Sequence, residues 1–352
     1  MSLGILNTYS EFLPLSEKTP RISLGEGGTP LVQSERLAKS LGIPNLFFKL
    51  EGCNPTGSFK DRGMVMAVAN AIENNSRQLI CASTGNTSAA AAAYGAHCGI
   101  PTVVLVPKGN VATGKVAQAI AYGAKILSIN GNFDKALELA QILAVDLKMT
   151  LVNSINPYRI EGQKTASFEI CERLGSAPDY LCIPVGNAGN ITAYWRGFKE
   201  WKEAEFISST PKMFGFQAEG AAPIVLGHPV KEPQTIASAI KIGNPASWTT
   251  ALEACVESNG LIDSVSDEEI LSAYKSLARM EGIFCEPASA ASVAGMMKAK
   301  RNNLINPDAS IVCVLTGTGL KDPDLASQIA DRPLQEVEAT TEALSIALQS
   351  IN

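Results

Sequence analysis

One lysine stands out in the segment NPTGSFKDRG, residues 54–63. Lys60 follows small and hydroxyl residues, and a largely apolar helical pattern begins at the same position. Most lysines are solvated surface residues, and that is the ordinary explanation of this one too. An amine near a helix N-terminus in partly apolar surroundings, however, has its charged form disfavoured. Because a neutral amine can form a Schiff base with an aldehyde, Lys60 is a candidate catalytic residue.

A second segment, CASTGNTSAAAAA, gathers polar groups between a strand pattern and a helix of very small residues. Hydroxyls and free backbone N–H groups at a helix N-terminus suit a carboxylate or a phosphate. The alternative is helix capping, but a cap needs only one such residue. Binding is therefore the favoured interpretation for Ser83, Thr84, Gly85, Asn86 and Thr87.

A third segment, PVGNAGNIT, lies between an apolar strand pattern and an amphipathic helix. Its glycines allow backbone N–H groups to approach a phosphate closely, and the helix dipole adds attraction. It matches neither the GxGxxG fingerprint nor the P-loop, and turns of this kind without a ligand are common. The candidate phosphate-binding residues are Gly186, Asn187, Ala188, Gly189 and Asn190.

The remaining candidates are a hydroxyl and a cationic set. Thr316 ends the apolar segment SIVCVLTG and could serve a ring nitrogen, or it could simply be a polar strand terminus. Lys115 and Arg159, the latter preceded by Asn153 and Ser154, could contact an oxyanion, although surface solvation is the ordinary role of such residues. All these groups together match the aldehyde, phosphate, pyridine nitrogen and 3′ oxygen of pyridoxal phosphate. The extra cations indicate a second anion, carried by the substrate.

These residues need a scaffold that brings strand ends together, and the pattern of the chain supplies one. Apolar runs alternate with amphipathic segments, which predicts an α/β fold with two open parallel-sheet domains and helices on both faces. In such sheets ligands bind outside the carboxyl ends of the strands. Ser266 and Glu269 form a predicted capping box. Strands are predicted at 46–51, 78–83, 101–107, 124–129, 150–154, 180–185, 212–218 and 310–317, and helices at 60–73, 87–97, 111–122, 133–147, 161–174, 190–202, 247–258, 267–281 and 287–301, with an appended helix within 335–352.

Composition excludes several classes of protein. The 352 residues carry a net charge of −5 without a basic stripe, so a nucleic-acid partner is not expected. No apolar run approaches the roughly 20 residues of a membrane span, and the first residues lack the features of a signal peptide, which predicts a cytoplasmic protein. The eight cysteines form no CxxC pair and are predicted to be buried hydrophobic residues. With only His97 and His228 present, we expect neither a metal site nor a Ser/His/Asp arrangement.

The chain resembles the threonine synthases, pyridoxal-phosphate enzymes with the tryptophan synthase β-like fold (fold type II). The joint order and spacing of the matching motifs make the resemblance specific, and it covers nearly the whole chain. The motifs are GEGGTPL (25–31), NPTGSFKDRG (54–63), ASTGNTSAA (82–90), PVGNAGNIT (184–192), GIFCEPASAA (282–291) and TGTGLKDPD (316–324).

The resemblance implies a role for each candidate residue. Lys60 would bind the cofactor covalently and move protons, Asn86 would hydrogen-bond its 3′ oxygen, and Thr316 would face its pyridine nitrogen. The cofactor phosphate would lie on Gly186, Asn187, Ala188, Gly189 and Asn190. The substrate carboxylate would lie on Ser83, Thr84 and Thr87, and the substrate phosphate on Lys115, Ser154, Arg159 and Asn187.

The implied activity is that of a carbon–oxygen lyase acting on phosphates. It converts O-phospho-L-homoserine and water into L-threonine and phosphate by γ-elimination and β-addition of water, the last step of threonine biosynthesis in the aspartate-family pathway. A cytoplasmic homodimer is implied as well. Residues 1–54 and 156–352 would form a large domain with the phosphate loop, and residues 55–155 a small domain with Lys60 and the carboxylate loop.

Two alternatives share this fold. A serine/threonine dehydratase or a β-replacing enzyme such as cysteine synthase has the same lysine and phosphate loop, but its substrate needs no second phosphate site. Dehydratases also commonly show an SGNH-like loop where this chain has STGNTS. A non-catalytic binding protein is possible on the same fold, and the presence of Lys60 argues against it.

Two features of the chain modify what the resemblance implies. Thr318 stands where family members often have His or Asn, which leaves the contact next to Thr316 open. The chain begins close to its GEGGTPL block, so we expect no regulation by S-adenosylmethionine of the kind linked to an N-terminal extension.

Overall fold

The structure, a computed structural model, describes residues 3–108, 113–328 and 335–349. The chain divides into two compact units, Met1–Lys321 and Asp322–Asn352. The strands of the first unit are β1 (Leu31–Gln33), β2 (Leu46–Leu50), β3 (Leu79–Ala82), β4 (Thr102–Pro107), β5 (Lys125–Ile129), β6 (Thr150–Leu151), β7 (Tyr180–Pro184), β8 (Lys212–Ala218), β9 (Leu261–Val265) and β10 (Ile311–Leu315). Its helices are α1 (Ile5–Thr8), α2 (Arg36–Leu41), α3 (Lys60–Glu73), α4 (Asn86–His97), α5 (Thr113–Ala121), α6 (Phe133–Asp146), α7 (Pro157–Leu174), α8 (Gly189–Glu203), α9 (Pro223–Leu226), α10 (Trp248–Glu257), α11 (Asp267–Glu281) and α12 (Pro287–Arg301). The second unit contains α13 (Pro323–Gln328) and α14 (Thr341–Gln349).

Two sheets organise the first unit. One has the strand order β1-β2-β10-β7-β8-β9, and the other β5-β4-β3-β6. All pairings are parallel except that of the edge strand β1, which runs antiparallel to β2. The central strands β3, β7 and β10 are buried along their whole length, as expected for parallel strands covered on both faces. The α/β fold with parallel sheets is confirmed, whereas the division into domains 1–54 plus 156–352 and 55–155 stays a prediction.

Most predicted elements are found within a residue or two of their expected bounds. The capping box of Ser266 and Glu269 is present, and the appended helix is α14. Two strands, β1 and β9, were not predicted: β1 has only three residues, and β9 has a half-buried, mixed sequence. The helix predicted from residue 161 begins at Pro157, because the side chain of Asn156 caps it. Of the helix predicted over 111–122, residues 111–112 lie outside the described part of the chain.

Helices α3 and α7 cross at unusually close range, and two glycines permit it. A Cβ on Gly162 would lie 1.9 Å from the carbonyl oxygen of Arg62. A Cβ on Gly63 would lie 2.7 Å from Nε of Arg159. The crossing therefore places Arg159 of α7 against the first turn of α3, the turn that begins with Lys60.

The cysteines follow the expectation in part. Six are buried, Cys98 is half-buried, and Cys53, which precedes the Lys60 segment, is exposed. Among the described residues, no helix combines the length and the apolar composition needed to cross a bilayer.

Candidate active site

Lys60 is the first residue of α3, directly after the turn that follows β2. Its side chain is half-buried, and Nζ lies 4.3 Å from the centre of the Phe59 ring. Burial and the positive charge of Arg159 lower the pKa of Lys60 to about 7, whereas the carboxylate of Glu286 opposes that shift. A substantial fraction of this amine is therefore uncharged near neutral pH, as the sequence analysis expected of a nucleophile.

The Lys60 turn is joined directly to the end of β10. The backbone N–H of Phe59 donates to the carbonyl oxygen of Thr316 (2.9 Å), and that of Thr318 donates to Gly57 (3.0 Å). Thr316 itself is buried. Lys60 and Thr316, which are 256 positions apart in the sequence, are therefore held on adjoining segments.

A buried carboxylate connects Thr316 to Asn86. Glu286 precedes α12, and its two oxygens accept from Nδ2 of Asn86 at 3.2 and 3.1 Å. Oε1 of Glu286 also accepts from the hydroxyl of Thr316 at 3.1 Å. The predicted partners of the cofactor's 3′ oxygen and ring nitrogen thus share one hydrogen-bond acceptor.

The loop after β3 does not use its polar side chains to cap α4. The N-cap is Gly85, without a side-chain capping bond within the described chain. The Ser83 hydroxyl accepts from the backbone N–H of Gly85 (3.2 Å), and Thr84 and Thr87 are half-buried. Because no side-chain capping bond is present at this helix N-terminus within the described chain, the polar groups of the loop are available to an anionic ligand, and their binding role stays a prediction.

The loop after β7 has the features of an anion-binding turn. Ala188, at the N-cap of α8, has a φ of 64°, a left-handed conformation that is uncommon for a residue other than glycine. Asn190 is buried, and within the described chain neither its Oδ1 nor its Nδ2 has a hydrogen-bond partner. A buried amide without partners is costly, so this loop is suited to a bound polar group.

Arg159 is fully buried, yet most of its donors have no acceptor in the part of the chain that the structure describes. Nη1 donates to the carbonyl oxygen of Val152 (2.8 Å), whereas Nε and Nη2 have no partner among the described residues. Burial lowers the pKa of Arg159 to about 10, which still leaves the guanidinium charged. An unpaired buried cation of this kind is suited to an anion from outside the chain.

Asn187, which follows β7, and Ser154, which follows β6, link the ends of the two sheets. Asn187 Nδ2 donates to the Ser154 hydroxyl (2.7 Å), and its Oδ1 accepts from the backbone N–H of Ala246 (2.8 Å). Asn153 instead exchanges two 2.9 Å hydrogen bonds with the backbone of Ala82, so it connects the ends of β6 and β3. Lys115 lies in α5, but its side chain is outside the described part of the structure.

Comparison with known proteins identifies the family. Residues 22–317 match the family described as pyridoxal-phosphate dependent enzyme. The chain is 60% identical over 328 residues to the threonine synthase of Halalkalibacterium halodurans, covering 93% of this chain and 92% of that protein. It is 59% identical over 326 residues to the threonine synthase of Bacillus sp. strain ULM1, covering 93% and 92%.

The chain belongs to the threonine synthase family of pyridoxal-phosphate-dependent enzymes. Among solved structures, maize serine racemase superposes with a TM-score of 0.73 at 22% sequence identity, covering 86% of this chain and 91% of that one. At this identity the likeness shows the shared fold alone.

The residues of this chain fit the family's cofactor. Lys60 supplies an amine that is partly uncharged near neutral pH, and buried Asn190 supplies amide groups without partners beside a helix N-terminus. Gly186 has no room for a side chain, because a Cβ there would lie 2.9 Å from Cα of Ile240. This combination of an amine and a tight anion-binding turn matches the aldehyde and phosphate of pyridoxal phosphate.

A cavity of about 750 Å³ lies elsewhere, at the N-terminal segment of the chain. Its lining includes Tyr9, Thr29, Glu169 and Glu172, and none of the predicted site residues. We therefore take the strand ends around Lys60, and not this cavity, as the candidate active site, because the reactive groups lie there.

The sequence analysis missed Glu286 and Ser289 as site residues. Both lie in GIFCEPASAA, which contributed to the family resemblance without a role for either side chain. The available signal was a carboxylate directly before a proline that opens a helix of small residues. Glutamate is normally a surface residue, so only the fold reveals that this one is buried against Asn86 and Thr316.

Proposed function

We propose that this protein is a threonine synthase, which converts O-phospho-L-homoserine and water into L-threonine and phosphate. The observation that carries the proposal is Arg159, a fully buried guanidinium beside the helix of Lys60, two of whose nitrogens have no partner in the described parts of the chain. A second anion site is what a phosphorylated amino acid requires. A dehydratase or a β-replacing enzyme of this fold needs no such site, and the family relatives also favour threonine synthase.

The cofactor is held by the segments that converge on Lys60. When bound, pyridoxal phosphate supplies an aldehyde for covalent attachment of amines and a ring that accepts electrons from the substrate. Lys60 would be its attachment point, Asn86 would contact the 3′ oxygen, and Thr316 would face the ring nitrogen. Its phosphate would lie on Gly186, Asn187, Ala188, Gly189 and Asn190.

The substrate is held at both ends. Ser83, Thr84 and Thr87 bind its carboxylate at the N-terminus of α4. Its phosphate lies on Lys115, Ser154, Arg159 and Asn187. Fixing both ends orients Cα toward Lys60, which converts an encounter between separate groups into a reaction within one complex.

Lys60 moves the protons of the reaction. Its neutral amine removes the proton from the substrate Cα, and a pKa of about 7 suits a group that must both accept and return protons near neutral pH. A proton leaves Cβ, the bond from Cγ to the phosphate oxygen breaks with its electrons departing on phosphate, and Cγ is then protonated. Arg159 retains the released phosphate in the site. Retention keeps an anion near Cβ while water is added there, and its loss would favour release of 2-oxobutyrate.

The first test is a product assay with purified protein and O-phospho-L-homoserine. We expect phosphate and threonine in equal amounts, with little 2-oxobutyrate. The matched control is Lys60→Ala, which should release neither product. Absence of phosphate release from protein with bound cofactor, together with turnover of serine or threonine, would contradict the proposal and favour the dehydratase alternative.

The cofactor assignment has its own readout. Protein loaded with pyridoxal phosphate should show a visible absorption band that is absent from Lys60→Ala. A band that persists in the variant would assign the attachment to another lysine and remove the basis of the mechanism.

We further propose that the enzyme is a cytoplasmic homodimer with the large and small domains expected from the sequence. The family resemblance supports this assembly. Light scattering during size-exclusion chromatography should give twice the 37.1 kDa mass of the chain, and a monomeric mass would contradict it.

A further inference from the structure

Glu286 is a buried carboxylate surrounded by hydrogen-bond donors. It is 4% exposed and accepts from Asn86 and from Thr316. Its backbone N–H donates to the carbonyl oxygen of Gly317 (3.0 Å). A Cβ on Gly317 would lie 2.6 Å from Oε1, so glycine is required for the carboxylate to sit this close to the turn.

Ser289 completes the surroundings of the Thr316 hydroxyl. The two hydroxyl oxygens lie 3.0 Å apart, and Ser289 Oγ also accepts from the backbone N–H of Gly317 at 3.0 Å. Within the described part of the chain, the Thr316 hydroxyl therefore has two side-chain hydrogen-bond neighbours, Glu286 and Ser289, and only Glu286 can bear a charge.

A hydroxyl group has a single hydrogen, and this limits what Thr316 can do. When Glu286 is ionised it can only accept, so the hydrogen of Thr316 is directed at Oε1. The threonine oxygen can then only accept from a further group, which must itself carry a proton. When Glu286 is protonated it can donate to Thr316, and the hydrogen of Thr316 becomes available to an unprotonated acceptor.

We propose that Glu286 sets the protonation state of the cofactor's ring nitrogen by fixing the direction in which the Thr316 hydroxyl donates. Glu286, Thr316 and the ring nitrogen form a relay that contains one exchangeable proton, held either on Glu286 or on the nitrogen. This inference rests on the proposed contact between Thr316 and the ring nitrogen. Glu286 is a positioning residue in this arrangement, because it acts on the cofactor through Thr316.

The donors around Glu286 favour its ionised form. Burial raises the pKa of the Glu286 carboxyl group above its usual value. The Asn86 amide, which is directed at both carboxylate oxygens, the Thr316 hydroxyl and the positive charges of Lys321 and Lys60 act in the opposite direction and limit that rise. Arg159 lowers the pKa of Lys60, and Asp61 raises that of Lys321, so both act on the amines whose charges influence Glu286. The ionised carboxylate stabilises a protonated ring nitrogen, which is the better electron acceptor.

The proposed role of Glu286 alters the effect that the Thr316 hydroxyl has on the ring nitrogen. A threonine hydroxyl alone holds a ring proton less firmly than a carboxylate would. With Glu286 behind it, Thr316 transmits the influence of a carboxylate without exposing that charge to the substrate.

The test measures the ring nitrogen itself in the holoenzyme. The protein is loaded with pyridoxal phosphate labelled with ¹⁵N in the ring, and the nitrogen chemical shift is recorded across a pH series. In Glu286→Gln we expect the midpoint of ring-nitrogen titration to move to lower pH by about one unit or more, because a nearby opposite charge is lost. An unchanged midpoint would overturn the proposal.

Thr316→Val gives a second and independent measurement. It breaks the relay while Glu286 stays in place, so the midpoint should again move to lower pH, and adding Glu286→Gln should then change it little. If Thr316→Val retains the wild-type midpoint, the relay is wrong even where Glu286→Gln fails to fold.

The matched control is Glu26→Gln, which removes a buried carboxylate outside the site. Glu26 accepts from the Tyr94 hydroxyl (2.8 Å) and from the backbone N–H of Ile5 (3.2 Å). It should leave the ring-nitrogen midpoint unchanged, and an equal shift in this variant would show that any lost buried charge has the same effect. Failure of the proposed function is distinguishable, because it would appear as loss of the Lys60-dependent absorption band or as absence of threonine.

Discussion

Arg62 and Arg159 lie on the two helices that cross in the first unit, and both side chains are fully buried. Their surroundings differ completely. Arg62 pairs with the carboxylates of Glu51 and Glu169 at 2.6–2.8 Å through all three of its nitrogens. Arg159 uses one nitrogen, on the carbonyl oxygen of Val152, and its other two have no partner among the described residues.

The contrast separates a structural charge from a ligand-binding charge. Burial lowers the pKa of Arg62, but Glu169 and Glu51 outweigh that effect and hold the pKa well above its usual value. For Arg159 burial dominates, and its pKa is lowered to about 10. Arg62, which carboxylates of the chain neutralise, has a structural role. Arg159, which has no carboxylate partner among the described residues, is suited to pairing with an anionic substrate.

The largest effect should follow from removing the neutralised charge. Arg62→Met keeps most of the buried volume but leaves Glu51 and Glu169 buried with fewer partners. We expect the free energy of unfolding in urea to fall by about 3–5 kcal/mol, the typical cost of breaking a buried ion pair. Lys49 also donates to Glu169, at 2.7 Å. A loss below about 1 kcal/mol would show that Lys49 alone stabilises the buried carboxylates once Arg62 is removed.

Removing the Arg159 charge should lower the activity of the enzyme much more than its stability. In Arg159→Ala we expect kcat/KM for O-phospho-L-homoserine to fall about 100-fold, mainly through a higher KM, since a lost ion pair to a ligand costs about 2–5 kcal/mol. Product should shift toward 2-oxobutyrate. The free energy of unfolding should not fall by more than about 1 kcal/mol, because an unpaired buried charge does not stabilise the fold. Unchanged kinetics and an unchanged product ratio would contradict the role of Arg159.

The two arginines should also differ in their effect on Lys60. In the apoprotein, the rate at which pyridoxal phosphate is captured should rise as pH passes about 7, because only the uncharged amine of Lys60 reacts. Arg159→Ala removes a positive charge that lowers the pKa of Lys60, so the midpoint of this rise should move to higher pH. Arg62→Met should leave this midpoint pH unchanged. Equal shifts in both variants would show that the two arginines do not differ in their effect on Lys60.

The smallest effect should come from an exposed pair. Nζ of Lys135 lies 2.8 Å from Oε1 of Glu138, with both side chains about half exposed. Lys135→Ala should change the free energy of unfolding by less than about 0.5 kcal/mol, because water screens such pairs and their side chains lose entropy on ordering. A larger loss would mean that burial is not what separates Arg62 from other charges.

Much of the fold follows from local pattern. Strands β3, β7 and β10 are recognisable because they are continuous apolar runs between turn signals, and the capping box at Ser266 marks the start of α11. Strand β9 was missed because an aspartate and a serine interrupt it and its membership depends on pairing with β8. Such pairing is a contact between distant segments, and a single sequence does not display it.

Some residues of the candidate site were also recognisable from local sequence, and others were not. The types and spacing of Lys60, Asn86 and Thr316 suggested their chemistry, because an amine, an amide and a hydroxyl at strand ends match specific atoms of a cofactor. Glu286 was not recognised, because its importance lies in the 3.1 Å contacts that the fold brings about. The roles of Lys60, Asn86, Thr316 and Glu286 in catalysis stay predictions, and the variants described above test those of Lys60, Thr316 and Glu286.

Residue chemistry and hydrophobic periodicity are properties of short segments, so they show without a structure which reactive groups are available and that these groups follow strands of a parallel α/β fold. Whether a buried charge is satisfied, in contrast, depends on the packing of distant segments. Arg62 and Arg159 are the same residue type in similar helical contexts, and no local pattern shows that Arg62 pairs with two carboxylates whereas two nitrogens of Arg159 have no hydrogen-bond partner among the described residues. That difference arises from burial and long-range packing, which set the electrostatic energy of each group and hence its function.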